Sequence, residues 1–93
     1  MRRETRQPRI CTVYLVRLER DGDVGVYVGT TAHDPKTRLL QHKSGYRDST
    51  VVRKYGTGIL QTYGPFTREN AGRAEKALHD YIKSRGVWSE HGL

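Results

Sequence analysis

The sequence predicts a small α+β (α/β) domain: a three-stranded sheet flanked by helices, its first two strands an antiparallel hairpin. Three observations carry this. Residues 10–18 and 24–30 are dense in β-branched and apolar side chains and enclose Asp21-Gly22, a hairpin signal. Asp34-Pro35 and Thr67 are helix-start signals standing ahead of longer segments. The last of those segments places Ala71, Ala74, Leu78, Tyr81 and Ile82 at the spacing of a core-facing stripe.

A chain of 93 residues supports one domain with a modest core. Apolar residues make up 34% and charged ones 29%, and no run approaches the roughly 18 apolar residues of a membrane span. The first residues lack the apolar core of a secretory signal. Cys11 is the single cysteine, which excludes an internal disulfide and a cysteine-paired zinc site and reads as a small buried apolar residue. These features fit a cytoplasmic protein, nucleoid-associated in a bacterial cell. Seventeen Lys and Arg against ten Asp and Glu give a net charge of +7, which points to a polyanionic partner.

In chain order, residues 1–9 form a basic arm with Arg2, Arg3, Arg6 and Arg9, either a solvated tail or an added phosphate contact. Residues 10–93 form the single domain. The first strand runs from Ile10 to Leu18, apolar enough to be covered on both faces. The second runs from Val24 to Thr30. A turn centred on Asp21 and Gly22 sets Tyr14 opposite Gly29 and Val16 opposite Tyr27, so both tyrosines share a face. Gly29 leaves space opposite the Tyr14 ring.

Asp34 then caps a helix with Pro35 at its first position, and Gly45 is its stop. Leu39 and Leu40 are placed to pack on the sheet. Arg38 and His42, four residues apart, lie on one side of this helix. A short helix follows from Ser49 to Tyr55, ending at Gly56. Lys43, Arg47, Arg53 and Lys54 make a basic surface. Ile59 to Tyr63 is the third strand, ended by Gly64-Pro65. Thr67 caps the longest helix, Arg68 to Arg85, which Gly86 ends.

Glu75 falls among Ala71, Leu78 and Ile82 on that helix. A carboxylate within an apolar stripe is costly unless it is paired or binds metal. A buried arginine partner and a metal ion are both open at this point. Taken singly, Tyr14 and Tyr27 are ordinary strand aromatics, and Arg38 and His42 an ordinary solvated helix face. His33, His79 and His91 have no metal-ligand spacing, and Trp88 reads as a plug closing the end of the core.

Taken together, these residues resemble the GIY-YIG endonuclease family. Val13-Tyr14 is similar to the end of its GIY motif and Tyr27-Val28-Gly29 to its YIG motif. Arg38 is similar to the family arginine of the following helix, His42 to a histidine found in part of the family, and Glu75 to the later glutamate. The resemblance spans Thr12 to Arg85. Thr12 stands where the family name has glycine, and Val87-Trp88-Ser89-Glu90 contains no asparagine where the family often has one.

The resemblance implies metal-dependent hydrolysis of DNA phosphodiester bonds. Glu75 would hold one Mg²⁺ or Mn²⁺ ion, and Arg38 would clamp a phosphate oxygen. Tyr14 would activate the attacking water, with His42 as alternative base or relay, and Tyr27 would orient water or substrate. Lys43, Arg47, Arg53 and Lys54 would contact the backbone of the DNA, whether duplex, branched or flap, with RNA still open. A homodimer or a separate targeting protein is compatible with this scheme. The absent asparagine favours a second reading, a nucleic-acid-binding module that does not cut. A third is a protein-interaction domain with an acidic partner.

Overall fold

The computed structural model describes residues 10–44 and 49–92. The basic arm, the Gly45 stop and Arg47 lie outside the described residues. The elements are β1 (Ile10–Arg20), β2 (Asp23–Thr31), α1 (Pro35–Ser44), α2 (Thr50–Tyr55), β3 (Gly56–Thr67), α3 (Arg68–Ser84) and β4 (Trp88–His91). They build a mixed four-stranded sheet in the order β3-β1-β2-β4.

The hairpin follows from its turn. Asp21 and Gly22 both adopt positive φ, 50° and 84°, the backbone that a right-twisted two-residue hairpin requires. The turn fixes the register, with Tyr14 opposite Gly29 and Val16 opposite Tyr27. Alternation then divides β1 between two cores. Cys11, Val13 and Leu15 join Val28 and Ala71 under α3, with Phe66, Ala74, Leu78 and Ile82 packed around them. Tyr14, Val16 and Leu18 join Tyr27 and Val52 under α1 and α2.

Two expectations about the sheet are corrected. The third strand does not end at Gly64-Pro65 but continues to Thr67. Proline is tolerated there because β3 is an edge strand and its pairing with β1 slips between Cys11 and Val13. A fourth strand, Trp88–His91, pairs in parallel with β2, so the sheet is not three-stranded. Gly86, at φ 79°, turns the chain out of α3 and back to the sheet. Trp88 lands on Gly25, where a Cβ would meet the indole Cε3 at 2.5 Å. The indole packs with Tyr55 at a ring separation of 5.9 Å and beneath the Arg20 guanidinium at 4.1 Å, closing that end of the core.

The helix caps form as the sequence suggests. Thr67 accepts from the Asn70 N–H and Asp34 from the Thr37 N–H; Ser49, read in the sequence as the first residue of its helix, instead caps α2 by accepting from the Val52 N–H. Leu39 packs against the core, but Leu40 is 69% exposed and does not reach the sheet. Tyr81 likewise lies outside the buried stripe, at 60% exposure. Among the described residues, no helix is long and apolar enough to cross a membrane.

Candidate functional site

Tyr14 and Tyr27 share one face, with ring centroids 6.3 Å apart. The Tyr14 ring lies across Gly29, where a Cβ would stand 2.5 Å from both Cζ and the hydroxyl. Glycine is therefore needed for side-chain room rather than for an unusual φ.

His42 comes down from α1 onto this pair and is 1% exposed. Its Nε2 is 3.0 Å from the Tyr14 hydroxyl, and its Nδ1 accepts the Ser49 N–H at 2.8 Å. A backbone N–H only donates, so this bond assigns Nδ1 as the acceptor, and the neutral ring carries its proton on Nε2. His42 therefore donates to the Tyr14 oxygen. The sequence offers His42 as an alternative base or relay; in this tautomer Nε2 already carries a proton and does not take the phenol's. His42 acts on Tyr14 as a positioning donor, and the residue that sets its tautomer is the cap of α2.

Arg38, one turn before His42, is half-buried and donates to Gln41 Oε1 at 3.1 Å. It lies close enough to favour the Tyr14 phenolate, but burial, Tyr27 and Glu75 outweigh it and push the Tyr14 hydroxyl well above its ordinary range. Tyr27 is also raised, first by burial and then by Glu75. Both tyrosines are neutral phenols at neutral pH.

Glu75 reaches the same region from the opposite face of the sheet. It is 1% exposed, and among the described residues no arginine or lysine pairs with it. Oε1 accepts from Thr30 Oγ1 at 2.6 Å and Oε2 from the Gly92 N–H at 2.9 Å, while His91 Nδ1 stands 3.9 Å from Oε2. Thr30 projects to the α3 face near the end of β2, past the last residue paired with β4. Gly92 sits between Glu75 and Tyr27: a Cβ there would be 2.6 Å from the Tyr27 hydroxyl and 3.6 Å from Glu75 Oε2. The carboxylate and the tyrosines thus meet around the uncovered stretch of the β2 edge.

Of the residues singled out in the sequence, Tyr14, Tyr27, Arg38, His42 and Glu75 come together. The proposed backbone contacts divide. Lys43 Nζ donates to the carbonyls of Arg53 at 3.2 Å and Gly56 at 3.0 Å, so its ammonium holds the end of α2. Arg53 and Lys54 are exposed on α2. Thr30, Ser49 and Gly92 were not anticipated. Thr30 had one signal, a hydroxyl at a position that alternation assigns to the α3 side.

As a metal donor, Glu75 offers a hard carboxylate with one protein hydrogen bond on each oxygen and further lone pairs remaining, which suits a single hard cation. Gly92 covers that carboxylate, so a hydrated ion needs the segment around it to yield. No family model matches this chain, nor does any curated protein or solved structure.

Proposed function

We propose that the chain is a divalent-metal-dependent endonuclease that hydrolyses DNA phosphodiester bonds. The observation that supports it is the convergence of a buried Glu75, with no lysine or arginine partner among the described residues, with Arg38 and a His42-tethered Tyr14. A buried carboxylate on an otherwise apolar stripe and a buried phenol tied to a buried imidazole are both costly to build, which favours a chemical reason for keeping them.

In this reading Arg38 holds a phosphate oxygen with its planar fork and balances the charge that develops on phosphorus. Tyr14 acts once its phenol proton has left to solvent: the phenolate takes the proton of the attacking water as the new O–P bond forms and returns to the neutral phenol, and the bond to the leaving oxygen breaks. The departing oxygen takes its proton from solvent. The His42 Nε2–H bond is strongest while the Tyr14 oxygen is the anionic phenolate, because a charged acceptor binds a donor more tightly, so His42 favours the state of Tyr14 that can take the water's proton. Tyr27 orients the water. Glu75 would hold one Mg²⁺ or Mn²⁺ ion, which supplies stabilisation of the leaving oxygen and of the phosphate charge.

One observation favours a second reading, a nucleic-acid-binding module on the same fold that does not cut. Glu75 is covered by Gly92, and Tyr14 is held as a neutral phenol. The two separate on a labelled DNA duplex and a branched DNA incubated with Mg²⁺ and with EDTA. Endonuclease action yields products only with metal, and these fall sharply in Tyr14→Phe and Arg38→Ala. Salt-sensitive binding with no product under any divalent ion selects the module.

A further inference from the structure

A second, polar cavity adjoins this centre. It encloses about 300 Å³ and is lined by Cys11, the backbone turn from Thr30 to His33, Arg38 and Gln41 of α1, and Arg68 at the start of α3. Two arginines from separate elements therefore line one space, and among the described residues no carboxylate does. Arg38 donates to Gln41 and also hydrogen-bonds the Tyr14 hydroxyl, which leaves part of its five-donor fork for an anion in the cavity. Arg68 is exposed and has no hydrogen-bond or ion-pair partner among the described residues. Two like charges converging on one small cavity repel each other unless an anion lies between them.

The cavity also has a position. Thr30, on its wall, is the residue that holds Glu75, and Arg38, on another wall, is the residue that acts on Tyr14. An anion in the cavity is thus a neighbour of whatever Arg38 and Glu75 hold. We infer that this cavity is a second phosphate subsite, in which Arg68 and the free side of Arg38 grip the backbone phosphate next to the scissile one. The inference rests on the nuclease reading for the identity of the strand. It assigns Arg68 a role in anchoring that strand and setting its register. Arginine suits this because its fork engages two phosphate oxygens at once, where a lysine acts as a point charge.

The test measures binding of a fluorescein-labelled 30-base-pair duplex by anisotropy, in EDTA so that nothing is cleaved, across a range of salt. Arg68 is exposed and unpartnered, so Arg68→Ala retains the fold, which circular dichroism checks. Arg85→Ala is the control, at the opposite end of α3 and roughly 25 Å away. Arg68→Ala is expected to bind about tenfold more weakly and to flatten the slope of log affinity against log salt by about 0.9, the loss of one phosphate contact. Arg68→Lys is expected to restore the slope but only part of the affinity. Equal losses in Arg68→Ala and Arg85→Ala, or no loss in either while the parent chain binds, would overturn the subsite and leave the nuclease reading standing. No binding by the parent chain at low salt would remove both.

Discussion

Gly29→Ala probes how tightly the site is built, because one methyl group strikes its central residue. The added carbon would stand 2.5 Å from the Cζ and hydroxyl of Tyr14 and 2.9 Å from its Cε1. Relaxed contacts between such atoms lie near 3.5–4.0 Å, so the ring must retreat by roughly 1 Å. The hydroxyl is held by His42 at 3.0 Å, and a shift of that size does not leave this bond intact. Overpacking a buried position costs about 1–3 kcal/mol. For a domain of this size each kcal/mol lowers Tm by roughly 4–8 °C. A misplacement of about 1 Å at a reacting group costs roughly 10²-fold in rate. Thermal unfolding followed by circular dichroism reads the first effect, and single-turnover cleavage well below Tm reads the second. A Gly29→Ala protein with the parent Tm and the parent rate would refute the reasoning, since the Tyr14 ring could not then lie across Gly29.

Three further outcomes follow from the same geometry. Tyr14 and Tyr27 hold their protons more tightly when folded, so their contribution to stability is full below about pH 10, the ordinary tyrosine value, and is lost as pH rises above it. Urea unfolding from pH 9 to 11 should show a decline of up to about 1.4 kcal/mol per pH unit for each tyrosine, and Tyr14→Phe should remove its share; a flat profile would contradict the burial of both phenols. Because Nδ1 of His42 is committed to the Ser49 N–H, the cleavage rate should keep rising with pH through the imidazole range, and a plateau from about pH 6.5 would show imidazole to be the base after all. Thr30→Val strips Glu75 Oε1 of its donor and should cost about 1–3 kcal/mol in urea unfolding, with an unchanged midpoint counting against the Thr30–Glu75 bond.

Local chemistry made much of this fold legible. A two-residue turn centred on Asp21-Gly22 fixes the pairing that puts both tyrosines on one face, where a three-residue loop would have put them on opposite faces, and the structure has the two-residue turn. Thr67 and Asp34 are caps whose side chains serve the helix that follows them, so they mark its start in any surroundings. β4 was not legible: Ser89, Glu90 and His91 have no strand preference, and only the open edge of β2 makes them a strand. Nor was the extension of β3 past Gly64-Pro65, which depends on the free edge beside it. At the site, the members could be named from spacing, but their hydrogen bonds could not. Whether His42 gives or takes a proton is set by Ser49, seven residues on, a partner that the four-residue spacing of Arg38 and His42 gives no sign of. Whether Glu75 meets an arginine or a hydroxyl depends on which strand end lies beneath it, and the answer is Thr30 and the Gly92 N–H.

The central claim is that Glu75 serves chemistry rather than folding, and Glu75→Gln tests it most directly. The amide is close in shape and can still accept from the Gly92 N–H, while the Thr30 hydroxyl can turn to accept from its NH₂. The fold is therefore kept and the charge is lost. Single-turnover cleavage of a labelled DNA with Mg²⁺, run beside a melting curve, should show a protein that unfolds near the parent temperature and yields no metal-dependent product. Cleavage by folded Glu75→Gln at the parent rate would contradict the account.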